Sequence, residues 1–173
     1  MDLKRFIREV PDWPKEGIIF YDITTLLEDP SVFKYVVDAM SEPFRGEKID
    51  KIVAIDARGF LLGTPIAYKF GCGVSLVRKV GKLPYKTIQE SYEKEYGMDT
   101  LTMHEDTIKK GENVLVVDDL LATGGTLEAT IRMVERMGGN IVGISFIVDL
   151  PFLGGSDKLS KYKLSHLVSY DGE

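Results

Sequence analysis

Val114-Leu115-Val116-Val117-Asp118-Asp119-Leu120-Leu121-Ala122-Thr123-Gly124-Gly125-Thr126 begins as an apolar run and ends as a loop of small and hydroxyl-bearing residues. An apolar run without polar alternation reads as a strand buried on both faces. The stretch that follows, Leu127 to Met137, is amphipathic: Leu127, Ile131, Val134 and Met137 share one face, and Gly138-Gly139 supply a stop. Strand, glycine loop and helix in that order predict an α/β fold with an anion site at the helix start, where unpaired N–H groups point outward. Thr123 and Thr126 add hydroxyl donors, and Gly124 and Gly125 let the backbone approach an anion closely. The loop lacks the lysine of a P-loop NTPase and the spaced glycines of a dinucleotide fingerprint. A small phosphate monoester is the ligand that remains. The plainer reading is a tight turn whose glycines serve only geometry and whose Thr126 only caps a helix. It is outweighed by Asp118 and Asp119, adjacent carboxylates that repel and need compensation. The hydroxyls of a ribose, with a hydrated Mg²⁺ nearby, would supply it.

The same alternation of strand and helix extends to either side. Lys51 to Ile55, Val74 to Val77 and Ile141 to Val148 read as further strands, and Phe60 to Phe70 as a helix containing Pro65. Near-continuous apolar strands between amphipathic helices imply a parallel sheet covered on both faces. Towards the N-terminus, Leu3, Phe6, Ile7 and Val10 at helical spacing predict a short helix over Asp2 to Val10, stopped by Pro11. A loop to Gly17 and a β-like run from Ile18 to Ile23 follow. Asp29 and Pro30 form a helix-start signal, and the helix should end near Ser41, ahead of Pro43. The interval from about Val80 to Lys110 breaks the rhythm. It is charged and carries Tyr85, Tyr92 and Tyr96, with alternation around Ile88 and Leu101 that suggests a β-hairpin. In open α/β sheets ligands bind beyond the carboxyl ends of the strands. Three loops meet that condition: Asp56-Ala57-Arg58-Gly59, Arg78-Lys79-Val80-Gly81-Lys82 and Asp118 to Thr126.

With 173 residues, 44% hydrophobic and 28% charged, the chain fits one ordinary globular domain. It has no apolar stretch of membrane-spanning length and no signal-peptide core at its start, so cytoplasm is the expected compartment. The single cysteine, Cys72, excludes an intrachain disulfide and reads as a small buried or half-buried side chain. A net charge of −5 argues against nucleic-acid binding. An acidic protein that binds a polyanion must gather its positive charge locally or bring a metal ion. Arg78, Lys79, Lys82 and Lys86 are gathered in that way, with Arg58 alone in another loop. His104 and His166 have no partner spacing that suggests a triad or a metal. Trp13 reads as packing, and Phe20 stands open between core and a stacking surface for a planar ligand.

These residues resemble the type I phosphoribosyltransferases, whose donor is 5-phosphoribosyl pyrophosphate (PRPP). Val114 to Thr126 is similar to their PRPP motif. Asp12-Trp13-Pro14-Lys15-Glu16-Gly17-Ile18-Ile19-Phe20 and Ala57-Arg58-Gly59-Phe60 extend the likeness, which covers essentially the whole chain. Gly81-Lys82-Leu83-Pro84 and Glu95-Tyr96-Gly97 narrow it to the adenine phosphoribosyltransferases within that family. The resemblance implies one domain over 1–173, a Rossmann-like central parallel sheet flanked by helices. A hood from about 1–28 and 150–173 would include a strand at Leu164 to Ser169, and a flexible hairpin lid would span about 80–110. It implies that Ala122, Thr123, Gly124, Gly125 and Thr126 bind the 5′-phosphate while Asp118 and Asp119 hold the ribose diol. Arg58, Lys79 and Lys82 would contact pyrophosphate, with Arg78 reaching across a homodimer interface. Adenine would lie against Phe20 and be read by main-chain groups near Ile19 and Tyr21. Glu95 and Tyr96 would sit on the lid, with Glu95 taking a proton from the purine. Mg²⁺ is the implied cofactor, carried by pyrophosphate and water without direct protein ligands. Two departures stand out: family members often carry a basic residue where this chain has Tyr21, and Glu where it has Asp56. The rival expectations are guanine, hypoxanthine or xanthine as the base, or a non-catalytic PRPP-sensing regulator.

Overall fold

The computed structural model describes residues 1–94 and 96–172. A 3₁₀ turn at Leu3–Phe6 leads into β1 (Arg8–Pro11) and β2 (Ile19–Asp22), then α1 (Thr24–Glu28) and α2 (Pro30–Ser41). Next come β3 (Lys51–Ile55), α3 (Arg58–Phe70), β4 (Gly73–Lys79), and the pair β5 (Thr87–Glu93) and β6 (Met98–His104). β7 (Asn113–Val117) and β8 (Leu120–Leu121) precede α4 (Gly125–Arg136). β9 (Asn140–Ser145), β10 (Val148–Asp149), α5 (Gly155–Lys158), β11 (Leu164–Ser165) and β12 (Val168–Ser169) follow.

The main sheet has the order β11-β9-β7-β3-β4-β6-β5. Its strands run parallel from β11 to β4, and β6 and β5 are added antiparallel beside β4. Side chains alternate across a strand, so the central strands must feed two cores. Ile52, Leu115 and Val117 pack into one core with Val36 and Met40 of α2 and Leu62 and Ile66 of α3. Val53, Ile55, Val114 and Val116 pack into the other with Leu127, Ile131 and Val134 of α4. This is the expected parallel sheet covered on both faces. Helix α3 lies close on β3 because Gly63 has no side chain: a Cβ there would stand 2.7 Å from Cβ of Ala54.

A second sheet, β12-β10-β8, repeats the order of the first three strands of the main sheet. Each of β7, β9 and β11 stops, steps over two residues and resumes as β8, β10 or β12. The step after β7 is Asp118-Asp119. It is held by Asp118 N–H donating to Ser145 O at 3.2 Å, and by Ile147 and Val148 N–H donating to Asp119 O at 3.0 Å.

Three expectations are corrected. Ile141 to Val148 is two strands in two sheets, and so is Leu164 to Ser169, whose first half joins the main sheet while only β12 lies in the smaller one. Asp2 to Val10 is a 3₁₀ turn and a strand: β1 pairs with β2 from Arg8↔Asp22 to Pro11↔Ile19. A helix that short is marginal alone, and strand pairing satisfies its backbone instead. Elsewhere the local signals hold. Asp29 accepts from the Ser31 and Val32 N–H groups with Pro30 in the first turn, and α2 ends at Ser41. The expected hairpin forms, with paired residues from Thr87↔His104 to Glu93↔Met98. Its first strand is fastened to α4: Arg136 Nη1 donates to Gln89 O and Glu90 Oε1, both at 2.9 Å, and Arg132 Nη2 donates to Ser91 O at 3.2 Å.

Candidate active site

A cavity of about 400 Å³ opens at the carboxyl ends of β3 and β7, within the size range of small-ligand sites. Its floor is the loop from Asp118 to Leu127. Gly124 takes φ of +89°, a conformation that side chains disfavour, and turns the chain into α4 with no side-chain cap. Glu128 N–H is the first to bond back, to Gly124 O at 2.9 Å. The amides of Gly125, Thr126 and Leu127 therefore lack an intrahelical acceptor, and the helix dipole favours an anion in front of them. The loop is clamped from two sides. A Cβ on Gly125 would meet the Tyr92 ring at 2.6 Å, and one on Gly155 would meet Ala122 O at 2.4 Å. Gly155 N–H donates to that same carbonyl at 3.0 Å.

Beside the loop stand the two acids. Asp119 is buried, and Arg58 Nε at the start of α3 donates to its Oδ2. Asp118 Oδ1 accepts the Asp119 N–H at 2.8 Å. Helix α3 can bring Arg58 this near because Gly59 lies against β7: a Cβ there would be 3.0 Å from Val117 O. Burial pushes the Asp118 carboxyl well above its ordinary value, and the neighbouring Asp119 adds to the rise. Burial also works against the charge on Arg58, but Asp119, with Asp118 and Asp22 behind it, outweighs burial and raises its value.

The opposite wall is Ile18 to Tyr21. Phe20 faces the cavity, with the Arg58 guanidinium 5.4 Å from its ring centre and Trp13 edge-on at 4.6 Å. Trp13 thus packs on Phe20, as its sequence context predicts. The Tyr21 ring is buried against Tyr170, 4.1 Å away. Tyr21 is among the residues lining the cavity, and its ring packs into the core on Tyr170.

Ile19, Phe20, Tyr21, Arg58, Asp118, Asp119, Ala122, Thr123, Gly124, Gly125 and Thr126 are thereby brought together. Arg78, Lys79, Lys82 and Tyr96 do not line the cavity. Arg78 Nε donates to Asp56 Oδ2 at 2.8 Å, and its Nη1 to Lys82 O at 3.3 Å. Lys79 pairs with Asp99 at 3.2 Å. Tyr96 is exposed beneath the Lys15 ammonium, 4.6 Å from the ring centre. Glu95 lies outside the described residues. Sequence reasoning missed Leu150, Phe152 and Leu153, which close the cavity after β10, and the glycine at 155. The doublet Gly154-Gly155, which echoes Gly124-Gly125, was the available signal.

A model of the phosphoribosyl transferase domain matches residues 22–168. Over 170 residues the chain is 56% identical to a curated protein of Brachyspira hyodysenteriae named adenine phosphoribosyltransferase, covering 98% of this chain and all (100%) of the relative. A crystal structure of adenine phosphoribosyltransferase from Thermoanaerobacter pseudethanolicus superposes with a TM-score of 0.94 at 46% identity, covering 98% of both chains. The enzyme of the same name from Saccharomyces cerevisiae, complexed with an imino-altritol bisphosphate and adenine, gives 0.91 at 38% identity, covering 96% of this chain and 97% of the other.

The raised Asp118 value has a consequence for stability. Below the ordinary aspartate range both folded and unfolded chains hold the proton, and nothing is lost. As pH rises, the unfolded chain releases its proton first, so folding stability falls until the raised folded value is passed. Asp118→Asn removes that ionisation. At about pH 7 the ligand-free variant should therefore show a higher urea midpoint than the native protein. The gain should vanish towards about pH 3. Urea midpoints across that range check it, and a gain independent of pH would contradict the assignment.

Proposed function

The chain belongs to the phosphoribosyl transferase family, and from that premise we propose that it is an adenine phosphoribosyltransferase. It joins adenine to the 5-phosphoribosyl group of PRPP, giving AMP and pyrophosphate, a purine salvage reaction. The observation that carries this reading is the single cavity in which the free amides of α4, the Asp118–Asp119 pair and the Phe20 wall converge. Those three surfaces match a phosphate, a ribose and a flat base in that order.

In this reading the 5′-phosphate sits on Ala122 to Thr126, where amides and two hydroxyls meet it. Asp118 and Asp119 accept hydrogen bonds from the ribose hydroxyls, which relieves the crowding of two carboxylates. As the bond from the anomeric carbon to pyrophosphate breaks, positive charge builds on the ribose ring and negative charge on the leaving group. A purine ring nitrogen takes the vacated position and gives up its proton. The protein's share is positioning, stabilisation of developing charge and exclusion of water. Arg58, held on Asp119 and packed over Phe20, meets the leaving pyrophosphate from the floor of the site. Arg78, Lys79 and Lys82 join it on the pyrophosphate. Glu95 accepts the purine proton and Tyr96 stands beside it in sequence on the lid, about 80–110; the hood is about 1–28 with 150–173. Mg²⁺ would be carried as a hydrated ion on pyrophosphate, with the Asp118 and Asp119 carboxylates as the acceptors nearest the loop that could hold its waters. Bound there, it would neutralise charge on the leaving group.

A homodimer completes the proposal. Helix α3, which carries Arg58, shows an apolar groove of Phe60, Leu61, Pro65 and Tyr68, bordered by Leu27 and Phe33. Tyr68 is 90% exposed in the single chain, an unusual state for an aromatic beside five apolar neighbours. No helix among the described residues is long and apolar enough to cross a membrane, and the cytoplasm is where we place the reaction.

Assaying adenine, hypoxanthine, guanine and xanthine with PRPP and Mg²⁺ tests the base. Adenine should lead in kcat/KM by at least about a hundredfold. A preference for another purine would move the assignment within the family, and no transfer to any base would leave a PRPP-binding regulator. Glu95→Gln should lower kcat by about 10²- to 10⁴-fold with little change in KM for PRPP, and an unchanged kcat rules out its role. In sedimentation, the native chain should run as a dimer and Leu61→Lys as a monomer. A native monomer would overturn the interface.

A further inference from the structure

Asp99, on β6, gathers an unusual number of donors. Its Oδ2 receives the Lys79 ammonium at 3.2 Å, the Lys94 ammonium at 3.4 Å and the Tyr92 hydroxyl at 3.3 Å. Its Oδ1 takes only the Thr100 N–H, at 3.0 Å. Charge-assisted bonds ordinarily settle at about 2.7–2.9 Å. All three contacts on Oδ2 are longer, as expected where three donors share one oxygen. The Arg78–Asp56 pair, by contrast, closes to 2.8 Å between single partners. Both lysines can leave without a desolvation barrier, because their side chains are 63% and 45% exposed, whereas that of Asp99 is only 17% exposed. The carboxylate is fixed and its cations are free to move.

Asp99 is also tied to the phosphate loop. Tyr92 sits opposite it across the hairpin, and the Tyr92 ring occupies the space that a side chain at Gly125 would need. The hydroxyl of that ring is the third donor on Oδ2. One carboxylate thus joins the wall of the 5′-phosphate site to two lysines that the pyrophosphate end of the same substrate would attract.

We infer that Asp99 is a positioning residue that holds Lys79 and Lys94 off the cavity in the ligand-free protein and surrenders them to the pyrophosphate end of an incoming substrate. This rests on the reading of the chain as a PRPP-dependent transferase. Substrate binding is then an exchange of acceptors, in which the ammonium groups leave a shared carboxylate oxygen for a more highly charged anion. The electrostatics agree with an occupied carboxylate. Burial pushes the Asp99 acid up, but Lys79, the Thr100 N–H and Lys94 outweigh it, so that it ionises below its ordinary value.

Steady-state kinetics of Asp99→Asn test the inference, because its sign differs from that of a structural role. Exposed ion pairs are worth at most about 1 kcal/mol, so releasing the lysines should lower KM for PRPP by about two- to fivefold without raising kcat. Asp99→Glu should return KM towards the native value. In a Lys79→Met, Lys94→Met background, Asp99→Asn should change nothing. A rise in KM, or a fall that persists without the two lysines, overturns the inference and leaves Asp99 as a brace for the hairpin. Native protein gives a second readout that needs no substitution. The ¹³C carboxyl signal of Asp99 should titrate at higher pH with magnesium pyrophosphate bound than without it, and coincident titrations overturn the inference. Absence of phosphoribosyl transfer by the native enzyme would be a separate failure, that of the proposed function itself.

Discussion

Two neighbouring carboxylates, one buried and one half-buried, and the half-exposed guanidinium that meets them constrain everything around them. Asp118 and Asp119 occupy the step where β7 leaves the main sheet for the smaller one. The backbone there is committed on both sides, to Ser145 and to Ile147 and Val148. The side chains cannot swing out to solvent without breaking that step. Buried like charges must be compensated or neutralised. Arg58 compensates one of them, and burial drives the other towards its protonated form. Arg58 can do so only because Gly59 lets α3 begin against the end of β7. The fold at this point is arranged around an unfavourable charge cluster that a hydroxyl-rich ligand would relieve.

A second constraint acts on the anion loop. Helix amides bind phosphate only if nothing else has capped them. In most helices a serine, threonine or aspartate at the N-cap would occupy those donors. Gly124 holds that position here with a positive φ, and α4 starts uncapped. Such a loop needs support from outside itself, which Tyr92 and Gly155 supply by contact with Gly125 and Ala122. The hairpin is therefore part of the site's architecture. Its first strand is fastened to α4 by Arg132 and Arg136.

The elements legible in the sequence were those whose signal is local. The Asp29–Pro30 helix start, the apolar runs of β3 and β7 and the Gly124-Gly125 loop each announce themselves within a few residues. So does the convergence of loops after strand ends, which follows from the order of strands and helices. What escaped was non-local. The apolar run from Ile141 to Val148 has nothing in its composition to mark a break at Phe146 and Ile147, since the break is set by β8 and β12 lying alongside. The N-terminal segment has helical spacing but is claimed by β2. The contribution of Gly155 to the site depends on its approach to Ala122 across 33 positions, which no window on the sequence contains. Likewise, the acid partners of Arg78 and Lys79 emerge only once β4, β6 and the loop at Asp56 are assembled.

Those acid partners resolve the tension between a net charge of −5 and a polyanionic substrate. Of the basic residues assigned to PRPP, Arg58 rests on Asp119, Arg78 on Asp56 and Lys79 on Asp99. The empty-handed site is thus close to neutral, and it projects little field to draw in nucleic acid or other polyanions from a distance. Affinity has to come from geometry at close range: a helix N-terminus and an acid pair lining one cavity, with cations that change partners. The arginines and the lysine divide this work by chemistry. A guanidinium in a directional bond to a buried carboxylate, as at Arg58, is suited to stay where it is. An ammonium on a flexible stem, sharing an over-subscribed oxygen, is suited to move. The acidic surplus of the chain is then the means by which it keeps its binding cations neutralised until a substrate arrives.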